Sequence, residues 1–142
     1  LTVNGRITSN GTDVSLGGDH RVVQSLINTT CTINAIDIAG FTSTVTPKGN
    51  KLFVTASIPL HPTSTDSTCF VQIVSGGSTV NFEAKHLIRS NSELTNFSTI
   101  IWVTRGVPIN IKLRFRGSTT VQYRGAESHL YGTGIMSIID LF

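Results

Sequence analysis

Four histidines, His20, His61, His86 and His129, are dispersed along the chain, and no two share the HxH or HxxxH spacing that seats a metal on one element. The carboxylates are equally isolated, so no general acid stands beside a general base in the sequence. A fold can still bring distant carboxylates to the ~5–9.5 Å separation that glycoside hydrolysis uses. The "GGDH" at 17–20 reads as a glycine-rich turn closed by polar residues. No GxSxG elbow, P-loop or GxGxxG context occurs. Cys31 and Cys69 lack a CxxC partner and a histidine at zinc spacing, which leaves two buried thiols, or else a disulfide. These residues predict no catalytic centre, no cofactor and no metal.

One group of charges is concentrated. In "VPINIKLRFRG" the residues Lys112, Arg114 and Arg116 fall on one face of a strand, and Tyr123 and Arg124 follow on the next, "TTVQYRG". Arginine holds carboxylate and phosphate groups through paired hydrogen bonds. Arg114, Arg116, Tyr123 and Arg124 are therefore the candidate receptor-binding residues, suited to an anionic glycan or a lipopolysaccharide phosphate. The alternative is a solvated face that keeps a sheet from sticking to its neighbours.

The elements that would carry these residues are strands. Of 142 residues, 39% are hydrophobic and only 13% charged, where soluble domains carry roughly 25% charged. Serine, threonine, asparagine and glycine fill the difference, a composition suited to sheets and turns rather than a helical bundle. The formal net charge of +3 is too small to imply nucleic-acid binding. No window approaches the ~20 apolar residues of a membrane helix. Alternation of period two recurs in "KLFVTASIP" (51–59), "CFVQIV" (69–74), "STVNFEAKHLI" (78–88) and "VPINIKLRFRG", with "SGGS" as a hairpin turn between the second and third. In the last of these Ile109, Ile111, Leu113 and Phe115 are expected to face the core. Only "DHRVVQSLIN" (19–28) offers a helical spacing, and it fits a strand as well.

Eight to ten such strands predict one all-β antiparallel sandwich or jelly roll over 20–142. Residues 1–19, rich in glycine and with single, spaced apolar residues, read as the end of a shaft or linker. Beginning with Leu1 rather than Met, the chain reads as a piece of a longer protein. Its last stretch, "GTGIMSIIDLF", is apolar on both faces: Ile135, Ile139 and Leu141 form one row, Met136, Ile138 and Phe142 the other. A strand dry on both sides needs a second cover. Met136, Ile138 and Phe142 are accordingly the expected subunit interface, with Asp140 turned toward a basic partner or the rim.

Residues 98–142 run in the order "STIIWV", "TRG", "VPINIKLRFRG", "TTVQYRG", "HLYGTG", "IMSIIDLF". This order resembles the C-terminal half of the tumour-necrosis-factor/C1q-like jelly roll, above all the heads that cap bacteriophage tail fibres and viral spikes. The resemblance implies a homotrimer with its last strand beside the threefold axis. It also implies a location on the virion surface, at a spike or fibre tip, and non-covalent recognition of a host cell-surface receptor. The alternatives are a structural trimerisation cap for a fibrous shaft and a carbohydrate-binding C1q-like module.

Overall fold

Alternating side chains give an extended segment one apolar and one polar face, and such segments are stable when two apolar faces pack together. A computed structural model describes residues 2–3, 6–9, 12–14, 20–63, 66–89, 93–125 and 133–141, with the backbone alone before His20. The described residues form the strands β1 (Thr2–Val3), β2 (Arg6–Ser9), β3 (Thr12–Val14), β4 (His20–Gln24), β5 (Thr29–Cys31), β6 (Ile36–Val45) and β7 (Lys51–Pro62). There follow β8 (Ser67–Ser75), β9 (Thr79–Ile88), β10 (Glu93–Trp102), β11 (Ile109–Gly117), β12 (Val121–Tyr123) and β13 (Ile135–Asp140).

Strand β7 organises the first sheet because it is long enough to serve two neighbours on one edge. There β13 pairs with Leu52–Ser57 and β12 with Leu60–Pro62, while β10 runs along the opposite edge from Lys51 to Leu60. Strands β4 and β5 flank β13 and β12. The second sheet has the order β6-β11-β8-β9. The chain crosses between sheets from β5 to β6, β6 to β7, β7 to β8, β9 to β10, β10 to β11 and β11 to β12. This is an antiparallel jelly-roll sandwich, the fold class expected from the sequence. Within the segment read as shaft or linker, β1, β2 and β3 form a small antiparallel sheet of their own.

The alternation fixes the core. Leu52, Val54, Ala56, Ile58 and Leu60 of β7 face Ile111, Leu113 and Phe115 of β11 across the sandwich, all buried, with Ile109 partly buried at its margin. The turn between β8 and β9 is left-handed at Gly76 (φ 60°) and Gly77 (φ 94°), a conformation that glycine adopts without steric cost. The ambiguous segment 19–28 contains β4, whose backbone groups are satisfied by the free edge of β13. Cys31 and Cys69 are free thiols in the core, and burial pushes them up to about 11 and about 12.

Candidate functional site

The basic stripe lies on the solvent side of the second sheet. Lys112, Arg114 and Arg116 alternate with the buried Ile111, Leu113 and Phe115 along β11. Two of the three cations are already engaged. Lys112 Nζ and Arg114 Nε donate to Oδ2 and Oδ1 of Asp37 on β6, at 3.0 and 3.1 Å. Partial burial opposes ionisation of Asp37, but the hydrogen bonds and charges of Lys112 and Arg114 together outweigh it and hold the carboxyl below its usual value. Arg116 lies over the Phe70 ring of β8, 3.9 Å from its centroid. Gln72, between Arg114 and Glu83 in register, donates to Glu83 Oε2 at 2.5 Å.

The other two residues predicted for the patch are not there. Strands β11 and β12 do not pair, because Gly117–Ser118 carries the chain from one sheet to the other, with Gly117 N–H donating to Thr32 O and Ser118 N–H to Thr68 O. Arg124 therefore belongs to the first sheet, where its Nε donates to Gln122 Oε1 at 2.8 Å. Tyr123 is a correction: it is fully buried and offers nothing to a receptor. It shares Val121's inward face, its ring meets Phe41 edge-on at 5.1 Å, and its hydroxyl donates to Ser25 O (2.6 Å) while accepting from Gly134 N–H (3.1 Å).

The predicted subunit interface also needs correcting. Met136 and Ile138 lie wholly inside the single sandwich, opposite Ala56 and Val54 on the inward row of β7. Phe142 lies outside the described residues, as does His129. The solvent-side row of the closing strand is Ile135, Ser137 and Ile139, followed by Leu141. Asp140 points inward at the sandwich end, where its carboxylate accepts from Lys48 N–H (2.6 Å) and Gly49 N–H (3.3 Å) in the β6–β7 turn. Backbone amides take the place of the expected basic partner.

That solvent side carries the surface that the opposite row was expected to form. Ile139, Phe53 and Ile100 stand in one cross-strand row of β13, β7 and β10. Trp102 lies next along β10, with Lys51 Nζ 4.8 Å from its ring centroid, and Leu141 donates its N–H to Lys51 O. Ile100, Trp102 and Leu141 are 51, 68 and 41% exposed. The adjoining rows, Ser137–Thr55–Ser98 and Ile135–Ser57–Asn96, are largely polar and hold no charge. The sequence signalled this face through Phe53, an aromatic in the otherwise polar row Lys51, Thr55, Ser57, and through "IIW", where Ile100 and Trp102 straddle the buried Ile101.

No protein-family model matches the sequence, and no curated protein matches it. Among solved structures, infectious bursal disease virus of the Gx strain aligns with a TM-score of 0.47 at 11% identity, over 98% of this chain and 41% of that one. Murine APRIL aligns at 0.45 and 11%, over 87% of this chain and 100% of that one. The enzymatically active domain of bacteriophage CBA120 tailspike protein 4 aligns at 0.26 and 10%, over 87% and 19%. The chain spans about two fifths of the length of the viral chains it matches first. No activity or partner is carried over from these alignments.

Proposed function

We propose that the domain is the non-enzymatic attachment head of a virion spike or fibre, assembling with two copies of itself through the solvent side of its first sheet. The observation that supports this is the apolar strip Phe53, Ile100, Trp102, Ile139 and Leu141, on a sheet face whose formal charges among the described residues are Lys51, Arg124 and those of the flanking β4. Exposed contiguous apolar surface of this kind marks an interface. Covering the open part of Ile100 and Trp102 contributes about 1–2 kcal/mol per side chain, repeated in each copy. The second sheet, with its charges on Asp37, Glu83, Lys85, Lys112, Arg114 and Arg116, stays turned outward and meets the host surface. Presentation in three copies multiplies weak contacts, by about 10²–10⁴ where geometry allows simultaneous engagement.

The test is the mass of the purified domain by sedimentation, with cell binding measured on the same samples. The expected result is a trimer at micromolar concentration. Ile100→Lys should yield a folded monomer whose binding to host cells drops by the avidity factor. A wild-type monomer at tens of micromolar, or an Ile100→Lys protein that still assembles, would sink the proposal.

A further inference from the structure

The second sheet contains an irregularity that its strand order does not require. Strand β6 pairs with β11 from Val45↔Ile109 to Thr42↔Lys112, and again at Asp37↔Arg114 and Ile36↔Phe115. Between those stretches β11 uses one residue, Leu113, while β6 uses four, from Ile38 to Phe41. The surplus chain bows away from the ladder and is held in that shape by other partners. Ser25 Oγ donates to Ala39 O at 2.6 Å, and Ala39 N–H donates to Thr29 Oγ1 at 2.9 Å. Gly40 adopts φ +86°, and a Cβ there would run into Ser25 Oγ, so no other residue fits there unstrained.

The bow opens a cavity of about 340 Å³ between the two strands. Its polar lining is Asp37, Thr42, Asn110 and Lys112, above the buried Ile38 and Phe41. Donors and acceptors alternate around it. Asn110 Nδ2 donates to Thr42 Oγ1 at 2.8 Å, and Lys112 Nζ to Asp37 Oδ2 at 3.0 Å, while the Asp37 side chain remains 50% exposed. The lining carries one carboxylate and one ammonium, so its formal charge is zero. An anion would have to displace Asp37 from two cations, and a cation would have to displace Lys112 from Asp37. A neutral ligand carrying hydroxyls on an apolar ring frame meets neither obstacle. Asn110 Nδ2 also donates to Thr44 Oγ1, so the ligand's hydroxyls can donate to Asp37 and to Asn110 Oδ1 and accept from Lys112, with its C–H face over Ala39 and Gly40.

The geometry points to a binding site for one neutral sugar ring in the β6–β11 cleft. This deepens the attachment reading and rests on it for the site's biological use. It replaces the anionic glycan expected from the arginine stripe with a neutral one. Amide chemical-shift mapping of the full 142-residue chain, titrated with methyl glycosides of glucose, galactose, mannose and N-acetylglucosamine at millimolar concentration, tests it. N-acetylneuraminic acid and glucosamine serve as charged comparators. Saturable shifts confined to residues 37–42 and 110–112 are expected with at least one neutral glycoside. Asn110→Ala should weaken that binding by about three- to tenfold, the worth of one hydrogen bond. Asp37→Asn, which frees Lys112 and Arg114, should move the preference toward the anionic sugar. Absence of cleft shifts with every neutral glycoside, or shifts in wild type from the charged sugars alone, overturns the inference. The failures separate: a trimer that binds cells without cleft shifts loses only this site, whereas a monomer with cleft shifts loses only the assembly.

Discussion

Tyr123→Phe removes one oxygen atom and leaves the ring that packs on Phe41, so it isolates a single junction. That hydroxyl ties β12 to Ser25 O just after β4 and to Gly134 N–H just before β13, at 2.6 and 3.1 Å. Tyr123 and Ser25 are 0 and 4% exposed, so water does not reach the groups left behind. Each buried backbone group without a partner costs about 1–3 kcal/mol, and two of them put the expected loss at about 2–6 kcal/mol. Set against a typical total of ~5–15 kcal/mol, that is a large share of the stability. At about 2–4 °C per kcal/mol for a chain of this size, the thermal midpoint should fall by about 4–24 °C. Urea denaturation should show a lower midpoint with an unchanged m value, since the folded surface is the same. A change below about 0.5 kcal/mol, the range of ordinary surface substitutions, would refute the argument that this hydroxyl is the junction's fixed point.

Two other perturbations follow from the same structure. Asp140→Ala should cost about 1–2 kcal/mol in urea denaturation, because Lys48 and Gly49 N–H lose their acceptor in a turn that water can partly reach. Asp140→Asn, which keeps one carbonyl acceptor, should cost less. His86 faces inward from β9, with its Nε2 buried and unpartnered beside Cys69 in register, and with Glu93 of β10 raising its affinity for a proton. Burial outweighs Glu93 and lowers its pKa from 6.5, so the unfolded chain binds the proton more readily. Stability from the neutral imidazole is therefore complete above pH 6.5 and declines as pH falls through the lowered folded value. His86→Leu should flatten that part of the stability profile and leave the more acidic loss, where Asp37 is protonated; an unchanged slope would remove His86 as its source.

The fold was legible because its strands alternate strictly. Along β11 three polar residues, Asn110, Lys112 and Arg114, separate Ile109, Ile111, Leu113 and Phe115, so the stripe's outward direction follows from period two alone. What the sequence left open was pairing. A short polar connector such as Gly117–Ser118 serves equally for a hairpin or for a crossing between sheets, and only the ladder partners tell them apart. A hairpin there would put Arg124 beside Arg116, whereas Arg116 stands on the second sheet and Arg124 follows β12 of the first. Tyr123 could have been recognised as inward, since it shares parity with Val121 while Gln122 and Arg124 take the polar side.

The closing strand shows the same limit in sharper form. Its two apolar faces follow from the residue types, and both exist in the structure, but the choice of which face is inward is a phase that the strand does not contain. A shift of one residue exchanges the rows. The neighbour sets the phase: Val54 and Ala56 lie on the buried row of β7, and register carries Ile138 and Met136 inward with them. The surplus apolar row is then Ile135, Ile139 and Leu141, and it gains Phe53, Ile100 and Trp102 from strands whose own solvent rows are otherwise polar. A sandwich needs one apolar face per sheet for its core, so this second one has no task within the monomer. The second sheet, by contrast, carries the ion pairs of Lys112 and Arg114 with Asp37 on its outer face. An assembly through the first sheet leaves that charged face, with the cleft between β6 and β11, pointing outward in every subunit.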